Sequence, residues 1–439
     1  ADVVVGTRSA VFTPLARPGL YIVDEEHDAS YKQQDGFRYN ARDLIVKRAQ
    51  QDGVPVILGS ATPSLESMEN VRRGRYRQLL LRQRVRGAAM PKFQLLDLGR
   101  LPVTSGITPP MLAALRLRLD RGEQSIVYVN RRGFAPVVLC STCRWQARCD
   151  RCDVHLTLHR RSERLRCHHC GASRDPPEQC PKCGQSTLHP VGEGTQRVED
   201  TLQKVLPGVR ILRLDSDNTG NAADLATDLA RVRQGTIDVL VGTQLVAKGH
   251  DFPAVTLVCI LNADSGLYSV DFRAAERLYQ QLTQVAGRAG RADRPGQVLV
   301  QTRHPENVSF FRLARHDYNG FVTAELDQRR LAFCPPFIRF ALLRAESLRP
   351  AVSLEFVSVA ARVGHRRLAG QPSQAVRLMD PVPSPMERKA GRYRAQLLVT
   401  SRAHTPLHRF LDDWLCDLEG LKSGRSVRWS LDVDPMEMY

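Results

Sequence analysis

Apolar residues recur along the chain in short runs that alternate with longer stretches of helical periodicity. The alternation is present before residue 140 and resumes after residue 190. Short apolar runs separated by helices are typical of a parallel sheet covered by helices, so the pattern predicts an α/β fold in two halves. The strand-like runs are DVVVGT, LYIVDEEH, PVILGSATPS, SIVYVNRRGF, VRILRLD, IDVLVGTQ, VTLVCILN and GQVLVQT, and the helical stretches are ARDLIVKRAQQ, PPMLAALRLRLD and residues 274–287.

The pattern changes from about Phe337 onward. Six segments there read as strand, helix, two strands, helix and strand, in that order. A βαββαβ order is typical of a split sandwich of the ferredoxin-like kind. The last hundred residues are therefore predicted to form a small α+β domain of their own.

Between the two α/β halves, eight of the eleven cysteines form four Cys-x2-Cys pairs. Each pair can hold one side of a tetrahedral ion, so four pairs predict two zinc sites, although a disulfide cluster is an alternative. The first two pairs are only five residues apart and the second and third are fourteen apart, which favours nested sites. Closed four-cysteine shells predict structural zinc. The outer site is Cys140, Cys143, Cys180 and Cys183, and the inner site is Cys149, Cys152, Cys167 and Cys170.

Three further cysteines, Cys259, Cys334 and Cys416, stand alone in apolar runs and are predicted to be core residues. No apolar run is long enough to cross a bilayer and no secretory leader is visible, so we expect a soluble protein of a reducing cytoplasm.

Charge points to the class of partner. The 63 Lys and Arg residues exceed the 46 Asp and Glu residues by 17, and the basic residues are spread along all 439 positions. Such a balance favours a polyanion, nucleic acid above all, over a basic surface kept for solubility.

Polar residues follow several predicted strands, where ligands of open α/β sheets gather. Asp24 and Glu25 come directly after one strand. One carboxylate there can hold Mg²⁺ and the next can orient water for attack on a phosphate, although an exposed turn is the alternative. In QLTQVAGRAGR, Gly287 and Gly290 disfavour a helix, so we expect a close backbone approach at these positions.

The ordered set GTRSA, DEEH, SAT, VGTQ-x3-KG and Q-x2-GR-x-GR resembles a superfamily 2 helicase motor. With the cysteine module after NRRGF and LDVDP near the end, the whole chain resembles the bacterial replication-restart helicases, the PriA or primosomal protein N′ family. The resemblance implies an ATP-dependent 3′-to-5′ DNA helicase that recognises stalled or abandoned forks and initiates primosome assembly. It also implies a cytoplasmic monomer whose partners are single-stranded and forked DNA, primosome proteins, single-stranded-DNA-binding protein and the replicative helicase loading machinery.

The resemblance assigns roles to residues of the nucleotide site, which would use ATP with Mg²⁺. Asp24 is implied as the Mg²⁺-associated acid, Glu25 as the residue that positions water, and His27 with Gln284 as a link between lobes. The implied arginine fingers are Arg288 and Arg291, with Arg291 preferred, whereas Glu26 receives no role. The coupling residues are Ser60 and Thr62, and the further nucleotide contacts are Gly249 and Asp251.

The resemblance also implies DNA contacts. Residues 31–42 resemble the family's aromatic-rich loop, in which rings stack on bases while Lys and Arg attract phosphates. Arg42 is part of this resemblance. The implied DNA contacts in the loop are Tyr31, Lys32, Phe37, Arg38 and Tyr39, and those elsewhere, which could instead couple to the nucleotide, are Thr7, Arg8, Thr243 and Lys248.

The implied architecture has two RecA-like parallel-sheet lobes, the first incomplete, with the zinc module inserted in the second. No G-x-x-x-x-G-K-[ST] sequence occurs in the 439 residues, and the family carries that loop upstream of GTRSA. We therefore expect this fragment to be inactive alone; a non-catalytic zinc scaffold that binds DNA and recruits primosome proteins is the alternative. The expected domains are 1–100 for lobe 1, 101–138 with 190–334 for lobe 2, 139–189 for the zinc insertion and 335–439 for the α+β domain.

Overall fold

The structure, a computed structural model, divides the chain into two compact units. The first comprises Ala1–Gln78 with Glu325–Tyr439, and the second comprises Leu79–Ala324. Among the helices of the described residues, none combines the length and the apolar character needed to cross a membrane. The described residues are 2–81, 89–103, 106–130, 137–143, 145–152, 154–159, 163–167, 170–191, 195–214, 222–243, 252–269, 271–290, 294–369 and 375–438.

The first unit begins with a short parallel β-sheet of two strands. The strand β1 (Tyr21–Val23) pairs in parallel with β2 (Val56–Leu58), and the helix α1 (Ala41–Asp52) connects them. The Asn40 side chain accepts a hydrogen bond from the backbone N–H of Arg42 and so caps α1. A second helix, α2 (Leu65–Arg72), follows β2.

The predicted strand DVVVGT is wrong. Residues 2–6 form no strand, and a short 3-10 helix, Arg8–Phe12, follows them. The side chains of Val3 and Val5 are 78% and 92% exposed. Apolar residues favour a strand only where a neighbouring strand pairs with them and a core covers them, and within the described residues β1 pairs only with β2.

The second unit contains the parallel sheet that the alternating pattern predicts. Its six strands lie in the order β10-β11-β4-β12-β13-β3, and all five pairings are parallel. Every residue of β4 and β12 is buried, as expected of strands covered on both faces. The strands are β3 (Lys92–Asp97), β4 (Gln124–Val129), β10 (Ile211–Leu214), β11 (Val239–Gly242), β12 (Val255–Leu261) and β13 (Gln297–Thr302), and the helices of this unit and its boundary are α3 (Pro109–Asp120), α4 (Thr195–Val205), α5 (Ala222–Arg233), α6 (Ala274–Ala286), α7 (Val308–Ala314) and α8 (Tyr318–Leu331).

The cysteine-rich segment forms its own antiparallel sheet between β4 and α4. Its strands lie in the order β8-β7-β6-β5-β9. The first and last of them, β5 and β9, pair with each other, so the two ends of the insertion meet. The strands are β5 (Val137–Cys140), β6 (Thr157–His159), β7 (Arg164–Arg166), β8 (Ser173–Arg174) and β9 (Leu188–Val191).

The carboxyl-terminal part of the first unit is an antiparallel sheet with two helices. Its main strand order is β15-β17-β14-β18, which is the order of a split βαββαβ sandwich, and the extra strand β16 pairs with β17. The predicted α+β domain is thus confirmed, and with the parallel sheet it establishes a mixed α/β fold. The elements are β14 (Arg339–Ser347), α9 (Pro350–Ala369), β15 (Val376–Leu378), β16 (Val382–Lys389), β17 (Arg392–Ser401), α10 (His404–Glu419) and β18 (Arg428–Val433).

Candidate functional site

The eight clustered cysteines form the two nested groups that their spacing favours. Within each group the four sulfur atoms lie within 4.8 Å of one another. A tetrahedral zinc ion with Zn–S bonds of about 2.3 Å separates its sulfur ligands by roughly 3.8 Å. The Sγ atoms of Cys149 and Cys170 are 3.8 Å apart, and those of Cys143 and Cys180 are 3.5 Å apart. The donor set and its dimensions therefore fit two zinc ions.

All four Cys-x2-Cys pairs share one backbone turn. In each, the N–H of the first cysteine donates to the carbonyl oxygen five residues later, over 2.8 to 2.9 Å. Gly171 and Gly184, which follow the second cysteine of the third and fourth pairs, have φ of 72° and 71°, a conformation that glycine adopts without strain. The sequence thus folds locally into turns that present two sulfurs each. The first cysteines and their acceptors are Cys140 with Trp145, Cys149 with Val154, Cys167 with Ala172, and Cys180 with Gln185.

Within the outer site the Cys140 sulfur is favoured as thiolate, whereas burial raises the pKa of Cys143. The Thr187 hydroxyl lies 3.2 Å from the Cys140 sulfur. This hydrogen bond and that from the backbone N–H of Cys143 lower the pKa of Cys140 to about 6. A thiolate is the form of cysteine that binds metal, so this ligand favours ion binding at neutral pH.

The lone cysteines do not behave alike. Cys259 is fully buried in β12, and burial raises its thiol pKa, as expected of a core residue. Cys416 is exposed and Cys334 is half-buried, so the core prediction is wrong for both. The apolar residues around Cys416 lie on α10, whose core-facing stripe excludes this position.

The acidic turn follows β1 at its carboxyl end. Asp24 and Glu25 are both exposed, and Glu25 adopts a left-handed backbone with φ of 48°. The N–H of Glu25 donates to the Asp24 carboxylate over 3.0 Å. The chain therefore turns sharply after the strand and directs two neighbouring carboxylates outward.

Glu26 has a different environment, because it is only 1% exposed. Its carboxylate accepts hydrogen bonds from the backbone N–H of Ser64 at 2.5 Å and from the Ser64 and Ser67 hydroxyls at 3.0 and 3.1 Å. It also pairs with the Arg42 guanidinium at 3.1 Å. The third acid of the turn thus ties α1 and the start of α2 to β1, a structural role that the sequence did not reveal.

His27 joins the acidic turn to the SAT segment after β2. Its Nδ1 lies 2.7 Å from the Ser60 hydroxyl, which in turn accepts the Thr62 N–H at 2.9 Å. The same nitrogen is 3.4 Å from the Glu25 carboxylate. Because β1 and β2 are parallel neighbours, their carboxyl ends bring DEEH and SAT together.

The aromatic-rich loop presents only some of its residues to solvent. Phe37 is 75% exposed and lies 5.7 Å from the Tyr39 ring, which contacts Phe12 edge to face at 4.9 Å. Arg38 is half-buried and donates to the Gly36 carbonyl. The rings therefore form a small exposed cluster suited to stacking.

Two basic residues of the loop, where the sequence predicts contact with DNA, are paired with acids inside the protein. Lys32 is 4% exposed and pairs with Asp432 at 2.9 Å. The Arg42 side chain is 13% exposed and pairs with Glu26 and Asp43. The Lys32 ammonium group and the Arg42 guanidinium group each bind carboxylates inside the protein, since buried cations need acidic partners.

Arg8 supports this loop from the GTRSA segment. Its Nη1 donates to the carbonyl oxygens of Ser30 and Lys32, each over 3.0 Å. Thr7, in contrast, is exposed and makes no side-chain cap to the following 3-10 helix.

In the second unit, the described candidates lie at strand and helix ends. Thr243 is buried just after β11, and Gln284 lies in the last turns of α6. Arg288 follows that helix, which ends at Ala286. Gly290 has φ of 69°, and a Cβ there would lie 2.3 Å from the backbone nitrogen of Gly296. The expected close backbone approach is thus present at Gly290, whereas Gly287 has an ordinary helical φ of −61°. Outside the described residues lie Lys248, Gly249, Asp251 and Arg291.

Three family descriptions match consecutive parts of the chain. "Helicase conserved C-terminal domain" matches residues 191–293, "PriA DNA helicase Cys-rich region (CRR) domain" matches residues 149–174, and "Primosomal protein N C-terminal domain" matches residues 330–436. Replication restart protein PriA of Haemophilus influenzae is 40% identical over 99% of this chain, and that of Bacillus subtilis is 38% identical over 99%. The chain belongs to the PriA family.

The chain covers 59% and 54% of the length of these two PriA proteins, less than two thirds in each case. Among solved structures, S. cerevisiae Dbp5 bound to RNA and ADP BeF3 is 14% identical over 70% of this chain and 58% of its own, with a TM-score of 0.34. That score is too low to support a conclusion. PriA membership therefore rests on the sequence matches and on the cysteine-rich segment.

Proposed function

We propose that the full-length protein is an ATP-dependent DNA helicase that moves 3′ to 5′ and acts at stalled or abandoned replication forks, where it initiates primosome assembly. The observation that carries this proposal is the acidic turn. Asp24 and Glu25 follow β1, and His27 contacts Ser60 after β2. Membership of a family whose relatives are named replication restart protein supports the biological role.

In this proposal, Asp24 associates with the Mg²⁺ of bound ATP and Glu25 orients the attacking water. Gln284, Arg288 and Arg291 act from the second lobe, with Arg291 as the finger. The His27–Ser60 contact relays the state of the nucleotide to the SAT segment, where Ser60 and Thr62 couple it to strand separation. Thr7, Thr243, Lys248, Gly249 and Asp251 keep the DNA-backbone or nucleotide roles that the motifs imply.

Zinc has a structural role in this proposal. Two ions, one for each four-cysteine group, would hold the four turns together and so stabilise a segment of small strands with few apolar residues. Neither site offers an open position for a substrate, because each already provides four sulfur ligands.

The proposed partners are single-stranded and forked DNA, primosome proteins, single-stranded-DNA-binding protein and the machinery that loads the replicative helicase, with the protein acting as a cytoplasmic monomer. The exposed cluster of Phe12, Phe37 and Tyr39 supports contact with unpaired bases.

We further propose that lobe 2 begins before β3 instead of at residue 101, because β3 pairs with β13 in the parallel sheet of that lobe. The other domain boundaries are retained.

The test is ATP hydrolysis by the full-length protein with and without single-stranded DNA. We expect Glu25→Gln to abolish turnover while ATP and DNA still bind, and Glu355→Gln, an exposed glutamate on α9, to change nothing. Because the 439 residues contain no G-x-x-x-x-G-K-[ST] sequence, we expect no turnover by this chain alone. A full-length protein that binds DNA without hydrolysing ATP would instead support the non-catalytic zinc scaffold.

A further inference from the structure

Lys32 is a basic residue of the aromatic-rich loop that is withdrawn from solvent. Its Nζ donates to the Val433 carbonyl oxygen over 2.6 Å and lies 2.9 Å from the Asp432 carboxylate. The side chains of Lys32 and Asp432 are 4% and 7% exposed. The loop is therefore attached to β18, the last strand of the carboxyl-terminal sheet, by a buried ion pair.

The loop docks on the face of that sheet that carries Asp432, Arg344 and Arg394. Asp432 pairs with Leu342, Gln396 with Arg344, and Arg394 with Glu346, so these side chains share one face. The opposite face carries the apolar core, which includes Leu343, Leu397 and Leu431, and packs against α9 and α10. A contact made by charged groups is more readily exchanged than one made by an apolar core.

Positive charge converges at this junction. Arg344 pairs with Asp432 at 3.5 Å, and its side chain is 15% exposed. Burial lowers the pKa of Arg344, Asp432 opposes that effect, and the nearby Arg394 and Arg38 guanidinium groups add to it. Asp432 is thus the acid that holds Lys32 beside other cations, and its loss would leave like charges facing one another.

Tyr31, the residue before Lys32, connects the same loop to the acidic turn. The Tyr31 hydroxyl donates to the carbonyl oxygen of Asp24 over 2.6 Å. Arg8 fixes the backbone on both sides of Tyr31 through Ser30 and Lys32. A continuous connection therefore runs from Asp432 to Lys32 through the ion pair and from Lys32 to Tyr31 through the peptide bond. It continues from Tyr31 to Asp24 through the hydrogen bond.

We propose that the Lys32–Asp432 pair positions the aromatic-rich loop between the DNA strand and the ATP site, which makes the carboxyl-terminal domain part of the strand-sensing device. This inference rests on the proposed function, since it requires a DNA-stimulated ATPase. Strand contact at Phe37 and Tyr39 shifts a loop whose base is fixed by Lys32. Because Lys32 holds the base of the loop in place, the shift displaces Tyr31 and, through its hydrogen bond, Asp24. A loop without this attachment would move without displacing Asp24. Lys32 and Asp432 are positioning residues and touch neither ATP nor DNA.

The test uses Lys32→Met, Asp432→Asn and the charge-conserving Lys32→Arg, all in the full-length protein. ATP turnover is measured against single-stranded DNA concentration, and DNA affinity is measured separately by fluorescence anisotropy. We expect Lys32→Met and Asp432→Asn to keep the basal rate and the DNA affinity within about threefold and to lose at least about tenfold in maximal stimulation. Lys32→Arg keeps a cation beside Asp432 and should retain most of the stimulation, which a requirement for the lysine side chain itself would not allow.

Asp417→Asn is the matched control, because Asp417 pairs with Arg367 within the same domain and away from the loop. It should leave stimulation unchanged. Full stimulation in both Lys32→Met and Asp432→Asn, or a loss of stimulation fully explained by weaker DNA binding, overturns the inference. If Lys32→Met or Asp432→Asn is poorly folded by its thermal melting profile, Lys32→Arg decides, and loss of stimulation in that variant overturns the inference. Absence of ATP turnover by the unmodified protein overturns the proposed function instead.

Discussion

The three consecutive acids of the turn allow a sharp test, because the structure gives adjacent glutamates opposite roles. Glu26→Gln removes a buried negative charge that four donors contact, whereas Glu25→Gln removes one on a side chain that is 49% exposed. The two substitutions are chemically identical and adjacent in sequence. We expect the first to affect stability and the second to affect ATP hydrolysis.

The magnitude follows from the contacts of Glu26. Removing one partner of a buried ion pair costs about 3–5 kcal/mol when the other charge has no substitute. Arg42 still has Asp43 at 2.8 Å, and a glutamine retains one carbonyl acceptor of similar shape, so about 2 kcal/mol is expected. For a unit of about 190 residues, this corresponds to a melting temperature lower by roughly 4–8 °C. Glu25→Gln should change the unfolding free energy by less than about 0.5 kcal/mol.

Calorimetry and urea unfolding of the zinc-loaded chain measure the stability of both variants. ATP turnover of the full-length protein with single-stranded DNA measures the catalytic effect. The assignment is refuted if Glu26→Gln melts at the same temperature as the unmodified protein. It is also refuted if Glu25→Gln lowers the unfolding free energy as much as Glu26→Gln does. It is also refuted if Glu26→Gln, at a temperature where it is folded, loses turnover as completely as Glu25→Gln does.

Two further predictions concern the zinc groups and the helix end of the second unit. Changing Cys149 and Cys167 together to Ser should remove one of the two zinc ions per chain, because both residues belong to the inner group. Changing Cys149 and Cys180 together to Ser should remove both ions, because one residue comes from each group. Elemental analysis measures the zinc content, and equal losses in the two variants would contradict nesting. Gly290→Ala should destabilise the second unit by more than about 2 kcal/mol, since it combines left-handed strain with a backbone clash. Gly287→Ala, at an ordinary φ, is its control in urea unfolding and should cost much less.

Much of the fold was accessible from local sequence pattern. The alternation of apolar runs and helical stretches predicted the parallel sheet, and the βαββαβ order predicted the carboxyl-terminal domain. Cysteine spacing predicted which two Cys-x2-Cys pairs share each site, because fourteen residues separate the second and third pairs and only five separate the first two. The strand predicted at DVVVGT was wrong because strand formation depends on a neighbour that an apolar run does not specify.

The candidate site was predictable only in its outline. The sequence by itself determined that DEEH and SAT each follow a strand, where ligands of open α/β sheets gather, whereas the pairing of β1 with β2 is what brings the two motifs together. It did not distinguish Glu25 from Glu26, since exposure depends on which way a turn directs each side chain. Nor did it show that Lys32 contacts Asp432 and Val433, the second of which lies 401 residues further along the chain. Tertiary structure alone decided these assignments, because burial and pairing are set by what folds against a residue, whereas local pattern reports only spacing along the chain.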